Sequence, residues 1–443
     1  MNIVIAGAGQ VGTHLAKMLS TERHDIVLLD QKEENLKPLD ANFDLMTHAG
    51  SPVSIYDLKD SNIKNADLFI AVTPYESENI TSCILAKDLG AKMTVARIDN
   101  NDYVQPENIE RFKRFGVDSL IYPEMLAARE IVQSLRMPGI RQLFDFSDGE
   151  LILIGLKIRG NAPIVNKPLA YLDARDENYR ILAITRGYDT IIPTGDDEIE
   201  DGDIVYFITT KSQLPVVKER AGKKNFDVKN VMIMGGSRIG IKTAQYVPDY
   251  YNVKIVEIDK ARSFKIVDKL DRALVINGDG RDMDLLREEG IEKMDAFVAL
   301  TGNAETNILS CMLAKQMGVK KTVAEVENID YFGLAENFGV GTIINKKRIA
   351  ASHIYQLTLN AEVSHVKCLT ASDAEVMELI AKEGSKITRG KLNEMKLPRD
   401  VNIGAVIRNG EIFIAHGDLQ ILAGDQVIVF CLPSGIRKIE KLF

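Results

Sequence analysis

The chain contains itself twice, and this duplication constrains its fold more than any other feature. The stretch NIVIAGAGQVG at Asn2 returns as NVMIMGGSRIG at Asn230, and the segment opening at Ala66 returns at Met294. The offset stays at 228 from Asn2 to Asn230, from Cys83 to Cys311 and from Gly90 to Gly318. Such an offset, held across whole elements, calls for two domains of one architecture rather than a solenoid of short units. With 443 residues, 45% of them hydrophobic, the chain can bury several cores.

Each half opens with short apolar runs alternating with amphipathic stretches, the pattern of βαβ units around a parallel sheet. Strands are predicted over Asn2–Ala6, Asp25–Leu29, Leu45–His48, Leu68–Val72, Met93–Arg97 and Ser119–Ile121. The second half repeats them at Val231–Met234, Lys254–Ile258, Ala273–Ile276, Ala296–Leu300 and Thr322–Val326. A crossover helix follows each set, from Pro123 and from Lys346, matched at Ala127–Ala128 and Ala350–Ala351. Short strand-rich segments come next, at Leu151–Ile158, Arg180–Thr185, Thr190–Pro193 and Ile204–Thr209, with turns at Gly187, Gly195 and Gly202–Asp203. The same grammar closes the chain at Ala405–Arg408, Gly410, Gly417 and Gly424–Asp425. The expected fold class is α/β, with two Rossmann-like, doubly wound parallel-sheet domains, each followed by a small α+β C-terminal domain. The boundaries fall at 1–140, 141–222, 228–360 and 361–443, and a charged bridge from Lys218 joins the halves.

The sequence Gly7-x-Gly9-x-x-Gly12 follows a predicted strand and opens a predicted helix, the context that gives this motif meaning. Gly7 permits the turn, Gly9 lets backbone approach a pyrophosphate, and Gly12 lets helix pack on strand. The exposed N–H groups of this loop, which runs through Ala8, Gln10 and Val11, and the positive helix end favour phosphate. Asp30, at the end of the second strand, stands where a carboxylate meets a ribose hydroxyl and disfavours a 2′-phosphate. Ser51, Thr73, Pro74 and Arg97 lie at other strand ends that open on the same crevice.

The second copy is altered. Its loop reads Gly235, Gly236, Ser237, Arg238, Ile239, Gly240, so a serine replaces the middle glycine and a guanidinium enters beside it. Ser237 crowds a dinucleotide, whereas Arg238 suits a terminal phosphate. Glu257 and Asp259 supply carboxylates near the second strand end; Gly278, Asp279 and Thr301 line the crevice, and Glu325 stands where the first copy has Arg97. The two readings of this loop are a site for a smaller adenine nucleotide (ATP, ADP or AMP) and an empty structural copy.

A net charge of −8 argues against nucleic acid or an anionic membrane surface as a general partner. No apolar run approaches a transmembrane length, and the opening strand is unlike a signal peptide, so a cytoplasmic location is expected. The four cysteines show no CxxC spacing; Cys83 and Cys311 read as small core residues. The six histidines do not recur in register, and no catalytic residues and no metal ligands can be assigned from spacing.

Taken together, the tandem order, IVIAGAGQVG, the VTPYESENI and LTGNAETNI segments and the paired Gly-Asp turns resemble the TrkA family of Trk-system potassium uptake proteins. The resemblance covers nearly the whole chain. It implies two regulator-of-potassium-conductance (RCK) units, assembled as a homo-tetramer with a ring of eight such units. The ring would lie on the inner face of the cell membrane beneath a TrkH-type channel subunit and gate potassium uptake. It further implies NAD(H) and adenine nucleotides as ligands, with contacts at Gly7 to Val11, Asp30, Thr73, Pro74 and Arg97, and at Gly235 to Ile239 and Asp259. Asp99 stands where family members often carry a further basic residue, which weighs against a triphosphate at the first site. Two nucleotide sites without catalytic residues suit a sensor. The competing readings are an NAD-dependent oxidoreductase with duplicated Rossmann domains, and a scaffold that binds no nucleotide.

Overall fold

The computed structural model describes residues 1–20, 24–40, 43–172, 179–187, 189–223, 226–357, 363–368 and 374–443. The predicted boundary at 360/361 lies outside them. Two compact units divide the chain, Met1–Ala127 with Lys346–Asn360, and Ala128–Asn345 with Ala361–Phe443. They do not follow the sequence repeat.

The first unit is built on β1 to β6 (Asn2–Ala6, Asp25–Asp30, Met46–Ala49, Leu68–Ala71, Met93–Arg97, Ser119–Ile121), in the order β3-β2-β1-β4-β5-β6. The paired strands are parallel. Such sheets are apolar on both faces because helices cover them, and β1, β2 and β4 are buried almost throughout. The helix Gln10–Ser20 turns Val11, Leu15 and Leu19 inward at helical spacing, beside Gly12 and Ala16. Its other neighbour is the second crossover helix, Lys346–Gln356, whose Ala350 and Ala351 are buried and whose Lys347 donates from Nζ to Gln10 Oε1 at 2.5 Å. A helix encoded by the second half thus completes the first nucleotide-type domain.

In the second unit, β12 to β17 (Asn230–Met234, Asn252–Glu257, Ala273–Asn277, Ala296–Ala299, Lys321–Glu325, Thr342–Ile344) repeat the order as β14-β13-β12-β15-β16-β17. The strand Thr342–Ile344 is absent from the strands predicted for the second half, although its equally short counterpart Ser119–Ile121 is among those of the first. The end of the first crossover helix, Pro123–Arg136, lies here, with Arg129 stacked over Tyr246 and Ser134 Oγ 2.9 Å from Thr342 Oγ1.

Both small domains also belong to this unit. The first contains β7 to β11 (Gln142–Phe146, Leu151–Lys157, Tyr179–Arg186, Asp189–Ile191, Ile204–Thr210), and the second β18 to β22 (Val363–Cys368, Glu375–Ile380, Val401–Arg408, Glu411–Ile414, Gln426–Cys431). Each is a five-stranded sheet of antiparallel pairs. The two share one core, in which Tyr206 and Phe430 approach to 5.9 Å between ring centroids. Arg180 binds Asn402 Oδ1 through Nε and Nη2 at 3.2 and 3.1 Å, and Ala415 O through Nη1 at 2.9 Å. Arg180 and Asn402 occupy equivalent repeat positions, so the small domains meet like a dimer inside one chain. The paired Gly-Asp turns have a common cause. The buried carboxylates of Asp203 and Asp425 take bidentate bonds from Arg186 and Arg408, and each also accepts a turn N–H, from Glu200 and Leu422.

Candidate functional site

The order of the first sheet places β1 between β2 and β4, where the connections diverge and a crevice opens beyond the carboxyl ends of the strands. Gly7 makes the turn there with φ +106°, and an added Cβ would meet Thr73 N at 2.9 Å. At Gly12 a Cβ would fall 1.8 Å from Gly7 O, so helix and turn could not both keep their places. Over Gly9 the opposite holds, since a Cβ would find nothing within 4 Å. That open space beside exposed N–H groups is what a pyrophosphate needs.

Asp30 closes β2 and is braced against this turn. Its Oδ2 accepts Ala8 N at 2.6 Å, while Oδ1 accepts Lys32 N at 2.8 Å and Asn35 Nδ2 at 3.2 Å. The carboxylate is therefore fixed in direction while retaining acceptor capacity for ribose hydroxyls. Opposite it, Thr73 and Pro74 follow β4. Thr73 is held by Asn79, whose Oδ1 accepts both Thr73 N (2.9 Å) and Thr73 Oγ1 (2.8 Å) and whose Nδ2 reaches Thr73 O and Arg97 O. Arg97 donates to Thr73 O at 3.2 Å and to Asp99 Oδ1 at 3.1 Å. Its charge is thus already matched by Asp99. Ser51 sits after β3, its N–H held by Asp57 Oδ2 at 2.7 Å.

The second crevice, in the other unit, forms a cavity of about 380 Å³ lined by Gly235, Gly236, Ser237, Glu257, Asp279 and Thr301, among others. Gly235 repeats the turn of Gly7, with φ +104°. Glu257 is the counterpart of Asp30, for it ends β13 as Asp30 ends β2, and its carboxylate accepts Gly236 N at 2.7 Å and Asp259 N at 2.8 Å. Asn307 repeats the Asn79 clamp on Thr301 and Glu325. Ser237 caps the helix Arg238–Tyr246, its Oγ accepting Gly240 N at 3.2 Å. That bond takes up a backbone donor that remains uncommitted to any side chain in a glycine loop.

Several expectations shift in this geometry. Asp259 is exposed and spends its carboxylate capping the helix Lys260–Val267 through Arg262 N at 2.8 Å, whereas Glu257 lines the cavity. Arg238, Ile239 and Gly278 are not among the residues lining the cavity; Gly278 instead donates from N to Glu257 O at 3.0 Å. The arginines on the cavity wall are Arg262 and Arg281, the latter bound to Asp279 at 2.7 Å and holding that carboxyl below its usual range. Neither arginine has a counterpart in the first loop motif, which is why motif matching passed over them. The clamps of Asn79 and Asn307 were legible in the paired segments ESENI and AETNI, as a polar residue repeated at a position facing the core. Cys83 and Cys311 are fully buried, and burial pushes the Cys311 thiol up to about 12, so both act as small core residues. Among the described residues no group of three or more His, Cys, Asp or Glu could hold a metal ion, and no helix is long and apolar enough to cross a membrane.

Two nucleotide-type folds with small antiparallel domains define a class of paired RCK-like modules. The TrkA-N domain model matches residues 3–123 and 231–346, and the TrkA-C domain model matches 153–222 and 376–443. The Trk system potassium uptake protein TrkA of Halomonas elongata is 33% identical over 450 aligned residues, covering 100% of this chain and 98% of that protein. TrkA homolog 2 of Methanosarcina mazei is 31% identical, with full coverage of both. The chain belongs to the TrkA family of Trk-system potassium uptake proteins. Among solved structures, the GsuK RCK domain aligns with a TM-score of 0.60 at 16% identity, covering 100% of this chain and 94% of that one. The GsuK channel bound to NAD aligns with a TM-score of 0.59 at 16% identity, covering 100% and 78%. These likenesses show a shared fold.

Proposed function

We propose that this chain is the nucleotide-sensing regulatory subunit of a Trk-type potassium uptake system. In this reading it is a cytoplasmic protein held at the inner membrane face by a TrkH-type channel subunit. A homo-tetramer presenting eight RCK-like units carries its response to the pore. The observation that carries the reading is the first crevice, where an open turn at Gly9 faces a fixed Asp30. NAD(H) would lie with its pyrophosphate over Gly9, on the N–H groups of Gln10 and Val11, and its ribose on Asp30, whose carboxylate holds the Ala8 N–H. In the second crevice Ser237 stands where the first has Gly9 and its hydroxyl takes up a loop N–H, so a smaller adenine nucleotide is favoured, with its phosphates toward Arg262 and Arg281. In this reading the residues assigned here bind and orient, and ligand binding acts by shifting the conformational equilibrium of the chain.

Calorimetric titration of the full chain with NADH tests the assignment. Asp30→Ala removes a charge-assisted hydrogen bond of about 1.5–3 kcal/mol, roughly a ten- to hundredfold loss of affinity. Unchanged NADH affinity in that variant would overturn the site.

A further inference from the structure

The two crevices differ on the walls that flank Asp30 and Glu257. In the first, Gln31 follows Asp30 at the end of β2, and Glu78 stands in the first turn of the helix Glu76–Asp88, which comes after β4. Gln31 Nε2 donates to Glu78 Oε1 at 2.7 Å. Because β1 lies between β2 and β4, a bond between their carboxyl-end walls passes over the end of β1, where the glycine turn sits. Gln31 is exposed and Glu78 half-buried, and neither side chain makes a further hydrogen bond among the described residues. The bridge joins the two walls of the crevice directly and leaves Gln31 Oε1 and Glu78 Oε2 as acceptors.

In the second crevice the same places hold different chemistry. Ile258 follows Glu257 as Gln31 follows Asp30, and Thr306 precedes Asn307 as Glu78 precedes Asn79. Both line the cavity, and Ile258 is 63% exposed. An isoleucine side chain cannot hydrogen-bond, so no such bridge can form there. The bridge is thus a property of the first crevice and not a requirement of the fold.

An adenosine with its ribose on Asp30 carries its base past that ribose, toward the residue that follows. Adenine presents two N–H donors on N6, and the bridged pair presents two acceptors, Gln31 Oε1 and Glu78 Oε2. Hypoxanthine has an acceptor oxygen in place of the amino group. Turning the Gln31 amide to donate from that edge would set its own oxygen against the carboxylate. We propose, building on the nucleotide reading of the first crevice, that Gln31 and Glu78 read the base and make this site selective for adenine over hypoxanthine. A site built to accept from an N–H rejects an analogue that lacks it, because its acceptors are left facing another acceptor.

The test titrates the full chain by calorimetry with NADH and with its hypoxanthine analogue, reduced nicotinamide hypoxanthine dinucleotide. The first-crevice signal is the part of the NADH titration that Asp30→Ala weakens. At that site the wild type is expected to bind NADH about tenfold or more tightly than the analogue. Glu78→Gln keeps the shape of the side chain and adds a donor that the hypoxanthine oxygen can accept, so the ratio should fall to about one. Gln31→Ala, which releases Glu78 from the bridge, should move the ratio the same way. A variant that merely loosened the fold would weaken both ligands alike and leave their ratio as in the wild type. A wild-type ratio near one, or a ratio that Glu78→Gln leaves unchanged, would overturn the base reading while the Asp30 assignment stands. An NADH titration that Asp30→Ala does not alter would remove the crevice assignment itself, and the base reading with it.

Discussion

Asp30 and Glu257 solve one problem with side chains of different reach. Each ends the second strand of its sheet and takes the N–H of the residue after the first glycine, Ala8 or Gly236. The longer glutamate is buried and also holds Asp259 N, whereas Asp30 is only half-buried and lies beside the open space at Gly9. The glycine turn, Asp30 and Ser237 were legible because each changes a motif whose geometry is fixed. Arg262 and Arg281 were not, since their value depends on which loops the fold brings together. A second buried residue gives a pH signature. Lys321 is fully enclosed, donating to Ile140 O at 3.2 Å and Thr342 Oγ1 at 2.9 Å, and burial, then Arg141 and Lys218, bring its ammonium down to about 7. An unfolded lysine titrates near 10.4, so between about pH 7 and 10 the unfolded chain holds more protons at this position and stability rises with pH. Below about pH 7 the penalty of the buried charge is present in full. The variant Lys321→Met should remove this contribution. Melting curves of both proteins from pH 6 to 9 check it, and parallel pH profiles would refute it.

At the scale of elements, periodicity located most strands of the two large sheets because parallel strands buried on both faces are continuous apolar runs. The small domains were less visible. The edge strands Gln142–Phe146 and Glu411–Ile414 are short and only part-buried, and the predicted strand Ala405–Arg408 is the end of a longer one, Val401–Arg408. What sequence did show was the pair of Gly-Asp turns, and the structure makes them brackets. Asp425 is buried and Arg408 is about a quarter exposed, with 2.8 Å between Nη2 and Oδ2. Breaking a buried pair costs about 3–5 kcal/mol, and partial exposure of the arginine lowers the expectation for Asp425→Ala to about 2–4 kcal/mol. Chemical denaturation followed by circular dichroism measures this. A loss below about 1 kcal/mol would mean that the bracket behaves as a surface ion pair.

For the molecule as a whole, duplication allows one chain to form contacts that a single copy would need a partner to make. Arg180 meets its counterpart position Asn402, and the helix Lys346–Gln356 packs on the helix Gln10–Ser20 at the other end of the sequence. Ala127 and Ala350, at matched positions of the two crossover helices, are both buried within the single chain. Under the proposed function, the two crevices would give one protein two ligand inputs of different chemistry. The most direct test of a nucleotide-sensing role is potassium flux through a reconstituted TrkH-type partner, measured with the full chain and its Asp30→Ala variant across a titration of NADH. The account predicts that flux with the wild-type chain changes as NADH saturates, and that the response of the variant moves to higher NADH by about ten- to a hundredfold. Flux that stays constant with NADH while calorimetry shows the first crevice filled would contradict it.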